Sequence, residues 1–273
     1  MREIAIKKGG LPRPISCMSY GQTRSGKTRW ASTWPRPLFF SDATEKGWES
    51  IETAPPESFF EPDRAPIVWA IEAPADVHTA IDKAGPLIAS GEVCTIVFDS
   101  LTFYSELFLN KVVGDMQKTG KVDLRTAYGA LSNHLGDLRI KVEKLNANVV
   151  WLALERTPEE NERMSMPMLA GKQAAKFSAG CSYILYHRTA IVDKKRSYEM
   201  HTQPSEAFIA GGRDAGLLPD IMTNPNYREF AGILGILPSN QTVLPLQPVV
   251  SATPAPARPV PARPVTAAAQ IKR

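Results

Sequence analysis

Short apolar runs alternate with longer stretches of helical periodicity along most of this chain, the pattern of buried strands joined by amphipathic helices. Residues 14–20 read as a buried strand, and residues 27–34 as a helix stopped by Pro35. Further apolar runs at 37–40, 67–71, 93–98, 148–154 and 181–186 read as strands. Residues 75–90 put Val77, Ile81, Ala84 and Ile88 on one helical face, with Gly85-Pro86 expected to kink or shorten that helix. Residues 124–146 repeat Ala127, Leu131, Leu135, Leu138, Val142 and Leu145 at helical spacing. The Pro-rich stretch 55–66 reads as loop, Ile191 and residues 198–202 as the arms of a hairpin around Asp193-Lys-Lys-Arg196, and 224–237 as holding a last short helix. The fold class implied is α/β, a mostly parallel sheet flanked by helices.

The pattern breaks at both ends. Residues 1–13 carry Lys7, Lys8 and Gly9-Gly10 and read as a lead-in to one domain spanning 14–237. From Pro238 onward prolines alternate with alanine and valine and no acid occurs, so too little apolar area is available to offset the entropy of ordering. Residues 238–273 are expected to form a disordered, polyproline-like tail, either a linker or an arm that binds a partner.

Between the first strand and the first helix lies Tyr-Gly-Gln-Thr-Arg-Ser-Gly-Lys-Thr, residues 20–28. Gly21, Gly26, Lys27 and Thr28 fit the phosphate-loop pattern G-x-x-x-x-G-K-[ST], with Gln22, Thr23, Arg24 and Ser25 between them. Glycines let successive N–H groups curl toward phosphate oxygens, and the helix start adds its positive end. Lys27 would reach the outer phosphates of ATP, and the Thr28 hydroxyl would sit on Mg2+. The run 93–99 is apolar, β-rich and ends in Asp99, so it can deliver a carboxylate to the same metal. Residues 41–47, Ser-Asp-Ala-Thr-Glu-Lys-Gly, place acids just past a strand end, where α/β sheets carry their chemistry.

Composition narrows the classes. The chain has 273 residues and a formal net charge of +4, too mild for a whole-protein nucleic-acid signature, so any DNA site must be local. Cys17, Cys94 and Cys181 lie in apolar runs with no metal spacing, which implies a reducing compartment. The four histidines, His78, His134, His187 and His201, are scattered and read as structural or surface residues. No apolar run approaches a membrane span and no signal-peptide core opens the chain, so a cytoplasmic location is expected.

Phosphate loop, acid cluster after the second strand, Val-Phe-Asp-Ser at 97–100, a long helix and an apolar strand ending in Glu155-Arg156 follow one another in an order that resembles the RecA-like recombinase ATPase core. More closely, it resembles the phage-encoded RecA-like ATPases of single-strand annealing and recombination, over roughly residues 14–235. It implies an ATPase acting on single-stranded DNA as a homo-oligomer. Glu45 would match the glutamate that orients the attacking water. The family reads Asp-Ala-Glu where this chain has Asp42-Ala43-Thr44-Glu45, one residue longer, which makes Asp42 its rival. Glu155 stands where the family carries a γ-phosphate-sensing glutamine. An ionised carboxylate cannot donate, so sensing would differ or pass to Arg156.

The resemblance also implies two DNA-facing loops. The first, residues 114–122, carries Lys118 and Lys121, with Lys111 and Arg125 nearby. The second, 158–176, carries Arg163, Met164, Met166, Met168, Lys172 and Lys176, with Glu159, Glu160 and Glu162 opposing phosphate in its front half and Phe177 as the plausible stacking ring. A cation donated from a neighbouring subunit would be Arg213, flanked by glycines, or Arg196 on the hairpin. Single-strand binding protein is an expected partner of the tail. Two rival functions are a nucleotide kinase, which would need an arginine-rich lid, and an ATP-gated DNA adaptor with little turnover.

Overall fold

The computed structural model describes residues 14–158, 164–170, 173–192, 194–214 and 216–237. The expected lead-in, the tail, and Arg163, Lys172, Glu159, Glu160 and Glu162 lie outside them. The central strands are β1 (Ser16–Gly21), β2 (Pro37–Asp42), β3 (Ile67–Ile71), β4 (Thr95–Asp99), β5 (Asn148–Arg156) and β7 (Tyr183–Val192), all mutually parallel. Antiparallel additions are β6 (Met166–Pro167), β8 (Lys195–His201), β9 (Gly211–Gly212) and β10 (Ile221–Thr223). The order is β10-β8-β7-β1-β5-β4-β2-β3, with β6 on β5 and β9 on β7.

Strands β1, β2, β4 and β5 are buried on both faces over most of their length and therefore read as continuous apolar runs, whereas β3 lies at the sheet edge with Val68 and Ala70 exposed. Met18, Phe40, Phe98 and Trp151 face one core with α3 (Pro74–Ala89), α4 (Leu101–Lys118), α5 (Leu124–Glu143) and α6 (Gln173–Ser178). Cys17, Phe39, Val97 and Leu185 face the other, with α1 (Lys27–Ser32), α2 (Glu49–Glu52) and α7 (Tyr227–Ile233). Ala127, Leu131, Leu135, Leu138 and Val142 of α5 are fully buried, the stripe that the periodicity predicts. Burial of each leucine there contributes about 2 kcal/mol. Helix starts are marked by side chains: Asp123 accepts from Arg125 N at 3.0 Å, and Asn226 accepts from Glu229 N at 2.9 Å.

Three expectations change. Helix α3 runs through Pro86 to Ala89, because Pro86 lies on the exposed face, where water can take the carbonyl of Asp82 that proline leaves without a donor. The first expected DNA loop is mostly helix: α4 continues through Gly114 to Lys118, stabilised by Asp115 pairing with Lys111 and Lys118, each at 2.9 Å, and by packing on α5. Only 119–123 connect the two helices. Phe177 is buried edge-on against Trp151 (centroids 4.9 Å apart), so it cannot stack on a base. Among the described residues no helix is long and apolar enough to cross a membrane.

Candidate active site

Parallel strands deliver their carboxyl ends to one edge, where Gly21, Asp42, Asp99 and Arg156 all stand. At the end of β1 the chain passes between Leu154 of β5 and His187 of β7. A Cβ on Gly21 would lie 2.0 Å from the His187 carbonyl oxygen, so only glycine fits this approach. The loop then curls through Gly26 (φ +89), which lies under the Tyr198 ring with no room for a side chain.

Lys27 opens α1 and is buried, its Nζ donating to the carbonyls of Gly21 at 2.9 Å and Gln22 at 2.7 Å. Burial lowers its pKa to about 8, although Asp99, Glu45 and Glu155 pull the other way. The next residue, Thr28, donates from Oγ1 to Asp99 Oδ2 at 2.9 Å. Asp99 is buried, and its desolvation raises its pKa to about 6. Ser25 is buried within the loop, whereas Gln22, Thr23 and Arg24 are exposed.

The loop after β2 supplies the second acid. Asp42 is occupied locally, its Oδ1 accepting from the backbone N and the hydroxyl of Thr44. Glu45, whose N–H donates to the Asp42 carbonyl at 3.3 Å, turns inward. Its Oε2 is buried and, among the described residues, has no hydrogen-bond partner. Burial first, and the charge of Asp99 second, raise its pKa to about 7. Gly47 then crosses directly over Asp99; a Cβ there would be 2.6 Å from Oδ2. The structure thus brings Lys27, Thr28, Asp99 and Glu45 together and leaves Asp42 in the turn.

Glu45 has a pH signature that can be measured. Its folded pKa of about 7 lies above the ordinary 4.5, so between these values the folded protein keeps a proton that the unfolded chain has released. The stability it contributes is full below the ordinary value and is lost as pH rises through 7. In thermal unfolding without nucleotide, Glu45→Gln is expected to melt above wild type at pH 8 and to match it near pH 4.5. A difference independent of pH would refute the buried carboxylate.

The other expected residues are spread around this edge. Glu155 accepts from the Tyr186 hydroxyl at 3.3 Å, and Arg156 Nη2 donates to Met166 Sδ at 3.0 Å. Arg213 donates to the Ala179 carbonyl at 3.1 Å, beside β9, which pairs with the first residues of β7 at the opposite end of the sheet from the phosphate loop. Arg196 is exposed on β8, opposite Ile191. Lys118, Lys121 and Arg125 cluster at the α4–α5 connection, all exposed, and Lys176 is exposed on α6. Sequence reasoning missed Gly47, His187 and Tyr198, which shape the loop. Only the glycine after the acid cluster carried a local signal.

The donor set suits Mg2+. A hydroxyl and one carboxylate are hard oxygen ligands, and this ion keeps waters and takes phosphate oxygens for the rest. Among the described residues no group of three or more His, Cys, Asp or Glu is arranged to hold a metal by itself.

A model of the AAA domain family matches residues 13–213. The chain belongs to that family. None of the curated proteins compared matches it. Membership makes the body of this AAA protein a P-loop ATPase domain of the nucleotide-binding kind, and the matched span holds the loop, Glu45, Asp99 and the β7–β8 hairpin.

Proposed function

We propose that this AAA domain binds Mg-ATP, hydrolyses it, and uses the cycle to control contact with single-stranded DNA in phage-type recombination, annealing or replication in the cytoplasm. The observation that carries the ATPase reading is the Thr28–Asp99 hydrogen bond set beside buried Lys27 and the partnerless Glu45 oxygen. Thr28 and Asp99 would hold the Mg2+, which when bound neutralises charge on the phosphates. The loop N–H groups and Lys27 bind and orient the outer phosphates. Glu45, close enough to Asp99 and Lys27 to feel both charges, aligns a water by accepting its proton in a hydrogen bond. Burial of Lys27, of Asp99 and of the Glu45 Oε2 keeps their fields strong.

The DNA half rests on Lys121 and Arg125, with Lys118, at the tip of the α4–α5 pair, and on Lys176. All four are exposed cations, and Val122, Leu124 and Tyr128 are exposed apolar neighbours at the same tip. Assembly as a homo-oligomer would let Arg213 act on a neighbour's nucleotide, and the tail would recruit single-strand binding protein. A second reading, an ATP-gated adaptor with little turnover, is favoured by Glu155, whose carboxylate is engaged by Tyr186 where the RecA-like proteins it resembles carry a sensing glutamine.

ATP hydrolysis by the full chain, with and without single-stranded DNA and beside Lys27→Ala, tests both. Stimulation by DNA, with at least about a hundredfold loss in Lys27→Ala, is the expected result. ATP-dependent DNA binding without hydrolysis would make the protein an adaptor. Hydrolysis indifferent to DNA would remove DNA as its activator and point to a small-molecule acceptor.

A further inference from the structure

Strand β7 is longer than its partner in the parallel sheet. Its pairing with β1 stops at His187, opposite Gly21, and beyond that it pairs only with β8, through Thr189↔Tyr198 and Ile191↔Arg196. The two strands therefore continue past the phosphate loop as a ribbon, tied on its outer edge to Asn224 at Tyr198 and, among the described residues, paired with no other strand beyond it. Residues directly opposite each other in an antiparallel pair point to the same face, and that face repeats every second residue. On one face, His187 packs on Trp30 of α1 (ring centroids 5.4 Å apart), Thr189 Oγ1 donates to the Arg24 carbonyl at 3.4 Å, and the Tyr198 ring covers Gly26. The next pair outward on this same face is Ile191 and Arg196.

We propose that this ribbon is the nucleoside-binding wall of the phosphate loop, with Ile191 giving apolar area to the base and Arg196 a donor fork to the ribose oxygens and base edge. The inference rests on the nucleotide reading above and extends it to a part of the ligand that the phosphate loop does not recognise. Thr28, Asp99 and Glu45 gather on the flank of Gly21 toward β4 and β2, so the terminal phosphate belongs there. The nucleoside end must leave on the other flank, where β7 and β8 stand. Ile191 is 81% exposed, the most of any large apolar side chain among the described residues. A lone exposed isoleucine is ordinary. One held on a hydrogen-bonded ribbon beside an arginine, one residue pair beyond a phosphate loop, is a platform. The same geometry moves Arg196 from a cation offered to a neighbour to one acting on its own nucleotide.

Calorimetric titration of the full chain with Mg-ATP and with Mg-tripolyphosphate tests this, since tripolyphosphate has phosphates but no nucleoside. Ile191→Ser and Arg196→Ala are each expected to weaken ATP about tenfold and to leave tripolyphosphate unchanged, and Ile191→Leu to restore most of the ATP affinity. Lys27→Ala is expected to weaken both ligands. ATP affinity unchanged in both ribbon variants would overturn the proposal while leaving the phosphate site standing. Wild type that binds neither ligand would instead overturn the nucleotide reading itself. Loss of single-stranded DNA affinity with ATP affinity intact would make the ribbon a nucleic-acid arm. Recovery of ATP binding on mixing Arg196→Ala with Lys27→Ala protein would place Arg196 on a neighbouring subunit. Either result overturns the assignment.

Discussion

Replacing Glu45 with glutamine is expected to slow ATP hydrolysis by about 100- to 1,000-fold while changing ATP affinity by no more than a few-fold. Glutamine keeps the shape and removes the charge. What is lost is the acceptor that aligns water, since the Oε2 of Glu45 has no hydrogen-bond partner among the described residues. Asp42→Asn supplies the comparison. Its carboxylate serves the Thr44 turn, so hydrolysis should fall only a few-fold as that turn loosens. Steady-state phosphate release and equilibrium nucleotide binding on both variants separate the roles. A large loss in Asp42→Asn with little in Glu45→Gln would transfer the water to Asp42.

Gly21→Ala is expected to be the most damaging single methyl in the domain. The added carbon would sit 2.0 Å from the His187 carbonyl oxygen and 3.0 Å from Ser25 Oγ, at φ +156. The oxygen belongs to a backbone held between β1 and β8 and cannot swing aside as a side-chain end would. Overpacking costs about 1–3 kcal/mol and a glycine-only backbone conformation about as much again, so a loss of about 4 kcal/mol is expected. That is a large part of the stability of a typical domain. Denaturant unfolding measures it, with Gly129→Ala as control. Gly129 is exposed in mid-α5 with nothing within 4 Å of its Cβ, and alanine there should stabilise by about 0.5–1 kcal/mol. Equal effects at the two sites would refute the close approach at the phosphate loop.

The phosphate loop was readable because its chemistry is local. The glycines, Lys27 and Thr28 are neighbours in the chain, and the turn they make needs little from elsewhere. Strands β1, β2, β4 and β5 were readable for a different reason: burial on both faces leaves apolar runs such as 37–40 and 149–153. The stripe of α5 was equally plain. Helix α4 was not, since Leu107, Phe108, Val112, Val113 and Met116 are only half-buried and Gly114 with its charged neighbours looks like loop. Its regularity comes from Asp115 and its two lysines and from packing on α5, a pairing that no local pattern announces.

By itself, then, the sequence determined an α/β body built around a phosphate loop, with an acid at the end of a later buried strand, because those features are written in consecutive residues. Tertiary structure alone decided which distant groups share the site. The placement of β5 between β1 and β4 sets how far Asp99 stands from the loop, and α1 bridges that gap so that Thr28 can reach it. The Thr44 turn chose which of two acids faces inward. Strand register sent Arg213 to the far end of the sheet and Arg196 to the phosphate-loop face, and the Trp151 contact buried Phe177. Each of these outcomes depends on which surfaces meet once the sheet has closed, and a pair of side chains far apart in the chain carries no record of that until the backbone brings them together.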